Sequence, residues 1–210
     1  ETPAFAAALR EAPPPHVPLA EVFRAHRGPL IAGTFAVVCC YAIFYLATAF
    51  ALGYGTTALG HPRESLLGVQ LGAILFLALG IVVAGFMSDR SEPRRVLMLG
   101  CILTVPAGLL LGPLMNRGLL GIALFLSLAL FLMGLVYGPL SAFLPGLFPA
   151  RVRYTGASLA FNVGGILGGA LAPIIAQALA ERGGLGWVGL YLSSAALVSL
   201  VALAAQRDSA

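Results

Sequence analysis

The sequence predicts an all-α membrane protein, built as a bundle of six transmembrane helices. Hydrophobic residues make up 60% of its 210 residues and charged residues only 10%, whereas soluble domains carry about 25% charged residues. Six apolar segments reach or approach the roughly 20 residues that a helix needs to cross a bilayer. None of the six contains an Asp, Glu, Arg, Lys or His. Lipid must therefore supply part of the solvent for this chain.

The six predicted spans follow one another through short connections. We place them at about residues 29–52, 66–88, 96–115, 119–144, 155–179 and 189–205. Residues 1–28 are predicted to be a cytoplasmic linker, in which residues 18–27 favour a short amphipathic helix over an unstructured segment. Residues 29–206 then form the transmembrane domain, and residues 207–210 a short cytoplasmic tail. Such short connections leave no room for an extramembrane catalytic domain.

The arginines are distributed unevenly between the two ends of these spans. All twelve basic residues are Arg. Three lie on one side, and nine lie on the side of the termini: Arg10, Arg24, Arg27, Arg90, Arg94, Arg95, Arg151, Arg153 and Arg207. The positive-inside rule places both termini in the cytoplasm. Because the arginines stand at the ends of apolar runs, the lipid bilayer is the expected partner and nucleic acid is not.

Polar residues recur on one face of several spans. The members are Thr34, Tyr41, Tyr45 and Thr48 in the first span, Gln70 in the second, Tyr137 and Ser141 in the fourth, and Thr155, Ser158 and Asn162 in the fifth. Polar groups in a span tend to face inward, toward a cavity or another helix. For a single residue, solute contact and interhelical hydrogen bonding remain equally open. The set favours a cavity, and its candidate solute-binding residues are Tyr41, Tyr45, Gln70, Tyr137 and Asn162.

Glycine pairs spaced four residues apart indicate close helix packing in lipid. The pairs are Gly68/Gly72, Gly108/Gly112, Gly134/Gly138, Gly164/Gly168 and Gly165/Gly169. A phosphate-binding loop is excluded for the cluster at 164–169, since it lies within an apolar span with no strand before it.

Enzymatic chemistry has no support in the spans. Their Ser and Thr residues have no His, Asp, Glu or Lys beside them, so we expect no catalytic residue and no cofactor. Cys39, Cys40 and Cys101 lie in apolar runs without C-x-x-C spacing. We expect buried free thiols and no metal site.

The connection between the second and third spans is dense in both signs of charge. It runs Gly85-Phe86-Met87-Ser88-Asp89-Arg90-Ser91-Glu92-Pro93-Arg94-Arg95. One interpretation is a positive-inside anchor. The other is a cytoplasmic charge latch whose weak ion pairs hold one conformation and break in another. Its members would be Gly85, Asp89, Arg90, Arg94, Arg95, Arg151 and Arg153.

This connection also carries a family resemblance. Gly85-x-x-x-Asp89-Arg90 followed by paired Arg resembles the signature loop of the major facilitator superfamily, which occurs after the second and eighth of twelve spans. Residues 50–60 and 137–159 are similar to the end of the seventh span and to the tenth-to-eleventh span passage of its metabolite:proton symporters. The resemblance covers essentially the whole chain and implies a C-terminal six-span half, with Glu1-Thr2-Pro3-Ala4-Phe5 similar to the central loop. Glu92, Pro93 and Gly146 depart from the family pattern.

The resemblance implies a secondary active transporter of the plasma (inner) membrane. Its solute would be a small organic acid, an amino-acid derivative or an osmolyte, moved by proton symport and alternating access. Because no titratable group lies in these spans, the coupling carboxylate would belong to a missing N-terminal six-span half. The alternatives are a half-size transporter that works as a homodimer, with a second copy as partner, and a non-transporting remnant.

Overall fold

The computed structural model describes residues 18–206, which form seven helices and no strand. They are α1 (Pro18–Ala25), α2 (Arg27–Thr57), α3 (Arg63–Arg90), α4 (Pro93–Met115), α5 (Gly118–Gly146), α6 (Arg153–Gly183) and α7 (Leu185–Ala205). Helices α2 to α7 are each long and apolar enough to cross a membrane, which confirms the six-helix fold class. Helix α1 confirms the short helix expected before the first span. The remaining parts of the predicted linker and tail, residues 1–17 and 207–210, lie outside the described residues.

The first spanning helix continues past its predicted end. Helix α2 runs to Thr57 although Gly53 and Gly55 weaken a helix intrinsically. The hydroxyls of Thr56 and Thr57 both donate to the Gly53 carbonyl, at 2.9 and 2.8 Å. Gly55 is buried against Leu66 of α3. Local hydrogen bonds and packing therefore override the low helix propensity of glycine.

The packing of the six spans relates the first three to the last three. In the first triplet, α3 and α4 both pack on α5, the first helix of the other triplet. In the second triplet, α6 and α7 both pack on α2 in the same way. Helices α4 and α7 pack on each other. Exchanging the two triplets reproduces this pattern. Since helices three apart in the chain run in opposite directions, this contact pattern matches that of an internal repeat of inverted topology.

Glycine permits the closest helix contacts. A Cβ atom on Gly134 would lie 2.5 Å from the Leu77 carbonyl oxygen of α3, and one on Gly164 would lie 2.6 Å from the Thr34 carbonyl oxygen of α2. Gly108 meets Gly189 of α7 in the same way. These contacts confirm the packing role of the predicted glycine pairs, with one exception. Gly68 and Gly72 make no such contact within residues 18–206, because no atom lies within 4 Å of either added Cβ.

Serine hydroxyls of α7 join it to its neighbours. Ser199 Oγ donates to the Phe35 carbonyl oxygen at 2.7 Å and accepts from the Cys39 backbone N–H at 2.9 Å. Ser193 Oγ donates to the Val105 carbonyl oxygen of α4 at 2.7 Å. Such bonds compensate the burial of a polar group in an apolar bundle. The three cysteines are buried and free, as expected.

Four segments meet at one end of the bundle, which we call the Arg-rich end. They are α1, the α3–α4 connection, the α5–α6 connection and the C-terminal end of α7. Arg94 of α4 makes the link to α7, donating from Nε to the Leu203 carbonyl oxygen at 2.9 Å. Helix α1 packs against α2 and α6 there, with Val22 fully buried.

Candidate solute cavity

A cavity of about 1080 Å³ lies between α5 and α6. It is lined by α5 from Tyr137 to Pro145, by α6 from Arg153 to Asn162, and by Ile81 of α3. At 1.5 Å rise per residue, the nine steps from Arg153 to Asn162 cover about 13 Å, nearly half of a hydrocarbon core about 30 Å thick. The cavity therefore extends from the Arg-rich end about a third of the way along α5 and α6.

The lining of the cavity combines an apolar wall with a few polar groups. The polar members are Tyr137, Ser141, Arg153, Tyr154, Ser158 and Asn162. Leu140, Leu144 and Phe161 contribute apolar surface. Small-molecule sites have this character, with a volume of roughly 300–1000 Å³ and a few polar groups that orient the ligand. Arg153 is the only Asp, Glu, Lys, Arg or His among the fourteen lining residues.

Two of the five predicted solute-binding residues line this cavity, and both lie at its inner end. Asn162 is exposed, and its Nδ2 donates to the Ser158 carbonyl oxygen at 2.8 Å. No donor to Asn162 Oδ1 is found in residues 18–206, so this oxygen is available to accept a hydrogen bond. The Tyr137 side chain is 43% exposed, and its hydroxyl makes no hydrogen bond within the same residues. Both groups are placed to contact a solute.

Tyr41 and Tyr45 lie behind the cavity. The Tyr41 ring is tilted against the ring of Phe161, with centroids 5.2 Å apart. It stacks on Tyr45 at 6.5 Å, and both rings lie over the glycines of α6. Tyr41 and Tyr45 of the predicted polar face therefore pack at the contact between α2 and α6. Tyr41 supports a lining residue, Phe161, but does not itself line the cavity.

Gln70 is also outside the cavity. Its Nε2 atom donates to the carbonyl oxygens of Ala47 at 3.1 Å and Thr48 at 2.8 Å. These carbonyls belong to Leu46–Phe50, a turn of π-helix within α2. A π-turn leaves backbone groups that need other partners. Gln70 satisfies two of them from α3 and so ties the two helices together.

The α3–α4 residues of the predicted charge latch do not form one cluster. Within residues 18–206 no ion pair involves Asp89 or Arg90, and both are exposed. Arg95 pairs with Glu92 at 3.3 Å, in a contact exposed to solvent. Arg94 caps the end of α7 as described above. Gly85 is exposed and has open space around it.

Arg151 in the α5–α6 connection and Arg153, the first residue of α6, have separate environments. Arg151 forms an ion pair with Glu21 of α1, whose side chain is only 16% exposed. His26 Nε2 lies 3.8 Å from the same carboxylate. Arg153 instead lines the cavity and donates from Nε to the Phe148 carbonyl oxygen at 3.2 Å. The structure thus connects Arg151 to α1 and Arg153 to the cavity mouth.

Sequence reasoning missed three residues of this region. Phe161 and Tyr154 line the cavity, and Glu21 holds the connection beside it. Phe161 directly precedes Asn162. Its position beside the polar face of the fifth span was the one sequence feature that could have indicated a cavity-lining role. Nothing in the sequence around Glu21 indicates a partner 130 residues away.

Comparison with known proteins finds transport proteins. The chain is similar to the inner membrane metabolite transport protein YhjE of Escherichia coli (strain K12), with 37% identity over 97% of the chain and 48% of that protein. It is similar to the citrate-proton symporter of Salmonella typhi, with 35% identity over 83% of the chain and 41% of the symporter. The shikimate transporter of E. coli is 29% identical over 92% of the chain and 45% of the transporter.

The chain spans about half the length of these curated relatives. No protein-family model matches it. No solved structure matches it either. Since the relatives are named as transporters, the prediction that the chain is not an enzyme is confirmed.

Proposed function

The chain belongs to the metabolite:proton symporter family of the major facilitator superfamily, and from this premise we propose that it is the C-terminal half of a secondary transporter. The half contributes one wall of a pathway for a small organic solute. Organic acids, amino-acid derivatives and osmolytes are the solute classes considered. Transport follows alternating access, in which two six-helix halves rock about a site near the bilayer midplane.

The cavity between α5 and α6 is the observation that carries this proposal. Its inner end holds Tyr137 and Asn162, about a third of the way along α5 and α6, and its mouth lies at the Arg-rich end. Polar side chains at that depth are costly unless they serve a pathway or find partners. The Asn162 side-chain oxygen and the Tyr137 hydroxyl supply hydrogen bonds to a solute, while Phe161 supplies a ring face.

The burial of the spans supports a second half as partner. In the most apolar 18 residues of α3 and α6, only 17% and 33% are buried, compared with 44–61% in the other four spans. Lipid can cover such faces, but α6 also carries the cavity wall. A second six-helix unit packed on α3 and α6 encloses the cavity and accounts for the greater length of the relatives. A second copy of this chain is the alternative occupant.

Proton coupling is assigned to that other half. In residues 18–206, the charged side chains of the spanning helices stand at helix ends. A proton relay inside the membrane needs a group that titrates there. The coupling carboxylate therefore lies outside this segment. The Arg-rich end faces the cytoplasm in this proposal, by the positive-inside rule.

Uptake by proteoliposomes tests the function. We would reconstitute the chain alone and the product of its complete reading frame, and supply radiolabelled citrate, shikimate, proline and betaine. An inward proton gradient should drive uptake of at least one solute by the complete product, and a protonophore should abolish it. Uptake by the chain alone would favour the homodimer. Uptake insensitive to the protonophore would refute symport, and none in any preparation would refute transport of these solutes.

A further inference from the structure

Arg153 is the one charged side chain that the described residues place at the mouth of the cavity. No carboxylate pairs with it in residues 18–206, and the thirteen other lining residues include no acidic side chain. Arg151, two residues earlier, is engaged by Glu21. Because Arg153 has no counter-ion within the described residues and borders a cavity whose low-dielectric walls focus the field, it gives the mouth a positive potential.

The guanidinium of Arg153 retains most of its hydrogen-bonding capacity. Its Nε–H donates to the Phe148 carbonyl oxygen at 3.2 Å, which fixes the base of the side chain beside the α5–α6 connection. Of the five N–H donors of a guanidinium, the four on the terminal nitrogens make no hydrogen bond within the described residues. Two parallel N–H donors match the two oxygens of a carboxylate.

The groups beside Arg153 favour an organic anion. Ser158 lies five residues further along α6, about 7 Å deeper by helix rise, and Asn162 lies one turn beyond it. A solute that leaves Arg153 therefore meets a hydroxyl and then an amide. The Tyr154 side chain is 87% exposed and adds an aromatic face at the entrance.

We propose that Arg153 forms a carboxylate subsite at the cavity mouth, which draws carboxylate-bearing solutes into the α5–α6 cavity and sets its preference for anionic groups. This rests on the proposed function, since it names the solute class of the same cavity. The subsite is a docking point on the way to Tyr137 and Asn162. A compact solute cannot contact Arg153 and the inner end together, because about 13 Å of helix separates them.

A reporter cysteine at the mouth tests the subsite without requiring transport. Ser158→Cys places a near-isosteric thiol in the cavity, while Cys39, Cys40 and Cys101 are buried. In the purified chain we would measure the rates at which an anionic and a cationic methanethiosulfonate reagent label the thiol at position 158. Arg153→Gln should lower the anionic-to-cationic rate ratio by about tenfold, and Arg153→Lys should largely preserve it. Citrate should slow labelling only when residue 153 is cationic.

Arg151→Gln is the matched control, since it removes an equal charge two residues away. It should change the rate ratio by no more than about twofold, because that charge is already paired. An equal fall of the anionic-to-cationic rate ratio in Arg153→Gln and Arg151→Gln would overturn the subsite. The preference for anions would then come from general surface charge. Citrate protection that survives Arg153→Gln would overturn the subsite as well. Ala157→Cys serves as a second reporter if Ser158→Cys perturbs the fold.

The failure of this inference is distinguishable from failure of the proposed function. If the complete product transports solute but Arg153→Gln leaves the rate ratio unchanged, the subsite is wrong and the transporter stands. If the rate ratio falls as expected but no preparation transports solute, the subsite stands and the transporter is wrong.

Discussion

Tyr41 of α2 lies directly against Gly165 of α6. A Cβ atom on Gly165 would be 2.9 Å from Tyr41 Cζ and 3.2 Å from its hydroxyl oxygen. One turn further on, a Cβ atom on Gly169 would be 2.7 Å from Cε2 of Tyr45. The two glycines make room for two aromatic rings between the helices. Phe161, which Tyr41 contacts, is thereby held in place as part of the cavity wall.

Replacing Gly165 with Ala should destabilise the bundle. The new methyl group would overlap the Tyr41 ring, and overpacking of this kind costs about 1–3 kcal/mol. Gly68→Ala is the matched control, because its methyl group would meet open space and alanine favours a helix by up to about 1 kcal/mol. Thermal unfolding in detergent should show a lower melting temperature for the first variant only. Equal melting temperatures would contradict the tight α2–α6 contact.

Replacing Gln70 with Ala should loosen the π-turn of α2. The Ala47 and Thr48 carbonyls would lose their donor from α3, at a cost of roughly 0.6–1.7 kcal/mol for a hydrogen bond within a membrane. Gln177→Ala removes an exposed amide that bonds only to Glu181, and it should have little effect. Unfolding by increasing denaturing detergent measures the difference. A change in solute affinity with stability intact would contradict this structural role and support Gln70 as a solute ligand.

The sequence predicted the number of spans because lipid leaves few alternatives. Each backbone N–H and C=O must be satisfied inside the membrane, so about 20 apolar residues imply one helix. The positions of Tyr41, Tyr45 and Gln70 could not be predicted in this way. A polar side chain shows which face of its helix points away from lipid. It does not show whether glycine, a π-turn or open space lies opposite that face.

The cavity residues were predictable in part for the same reason. Asn162 and Tyr137 stood out as polar groups in apolar spans, and both line the cavity. The separate roles of Arg151 and Arg153 depend on side-chain directions in one short connection. Glu21 reaches Arg151 only because α1 folds back onto α6, a long-range contact without a local signal.

The Glu21–Arg151 ion pair should hold α1 against the bundle. A double-mutant cycle with Glu21→Gln and Arg151→Gln should give a coupling free energy near 1 kcal/mol, the upper part of the range for surface pairs. The Arg95–Glu92 pair has both side chains largely exposed, at 73% and 55%, so its cycle should give a coupling close to zero. Unfolding free energies measure both cycles. Equal coupling in the two pairs would contradict a docked α1.

Loss of the Asn162 amide should weaken solute binding. Removing one hydrogen bond costs about 0.5–1.5 kcal/mol, so Asn162→Ala should raise the KM for uptake by the complete protein by roughly two- to tenfold. Asn116→Ala is the control, since that amide lies in the α4–α5 connection, outside the cavity lining. Radiolabelled uptake at varied solute concentration gives the KM of each variant. An unchanged KM for Asn162→Ala would remove this residue from the pathway.

Side-specific labelling of Asn162→Cys tests most directly whether the α5–α6 cavity is the solute pathway. A membrane-impermeant maleimide would be applied to inside-out and to right-side-out vesicles that contain the complete protein, with and without a transported solute. We predict faster labelling from the Arg-rich side, which the proposed orientation places in the cytoplasm, and slower labelling when the solute is present. Labelling by a lipid-soluble maleimide alone, unaffected by solute, would show that this surface faces lipid and would contradict the pathway.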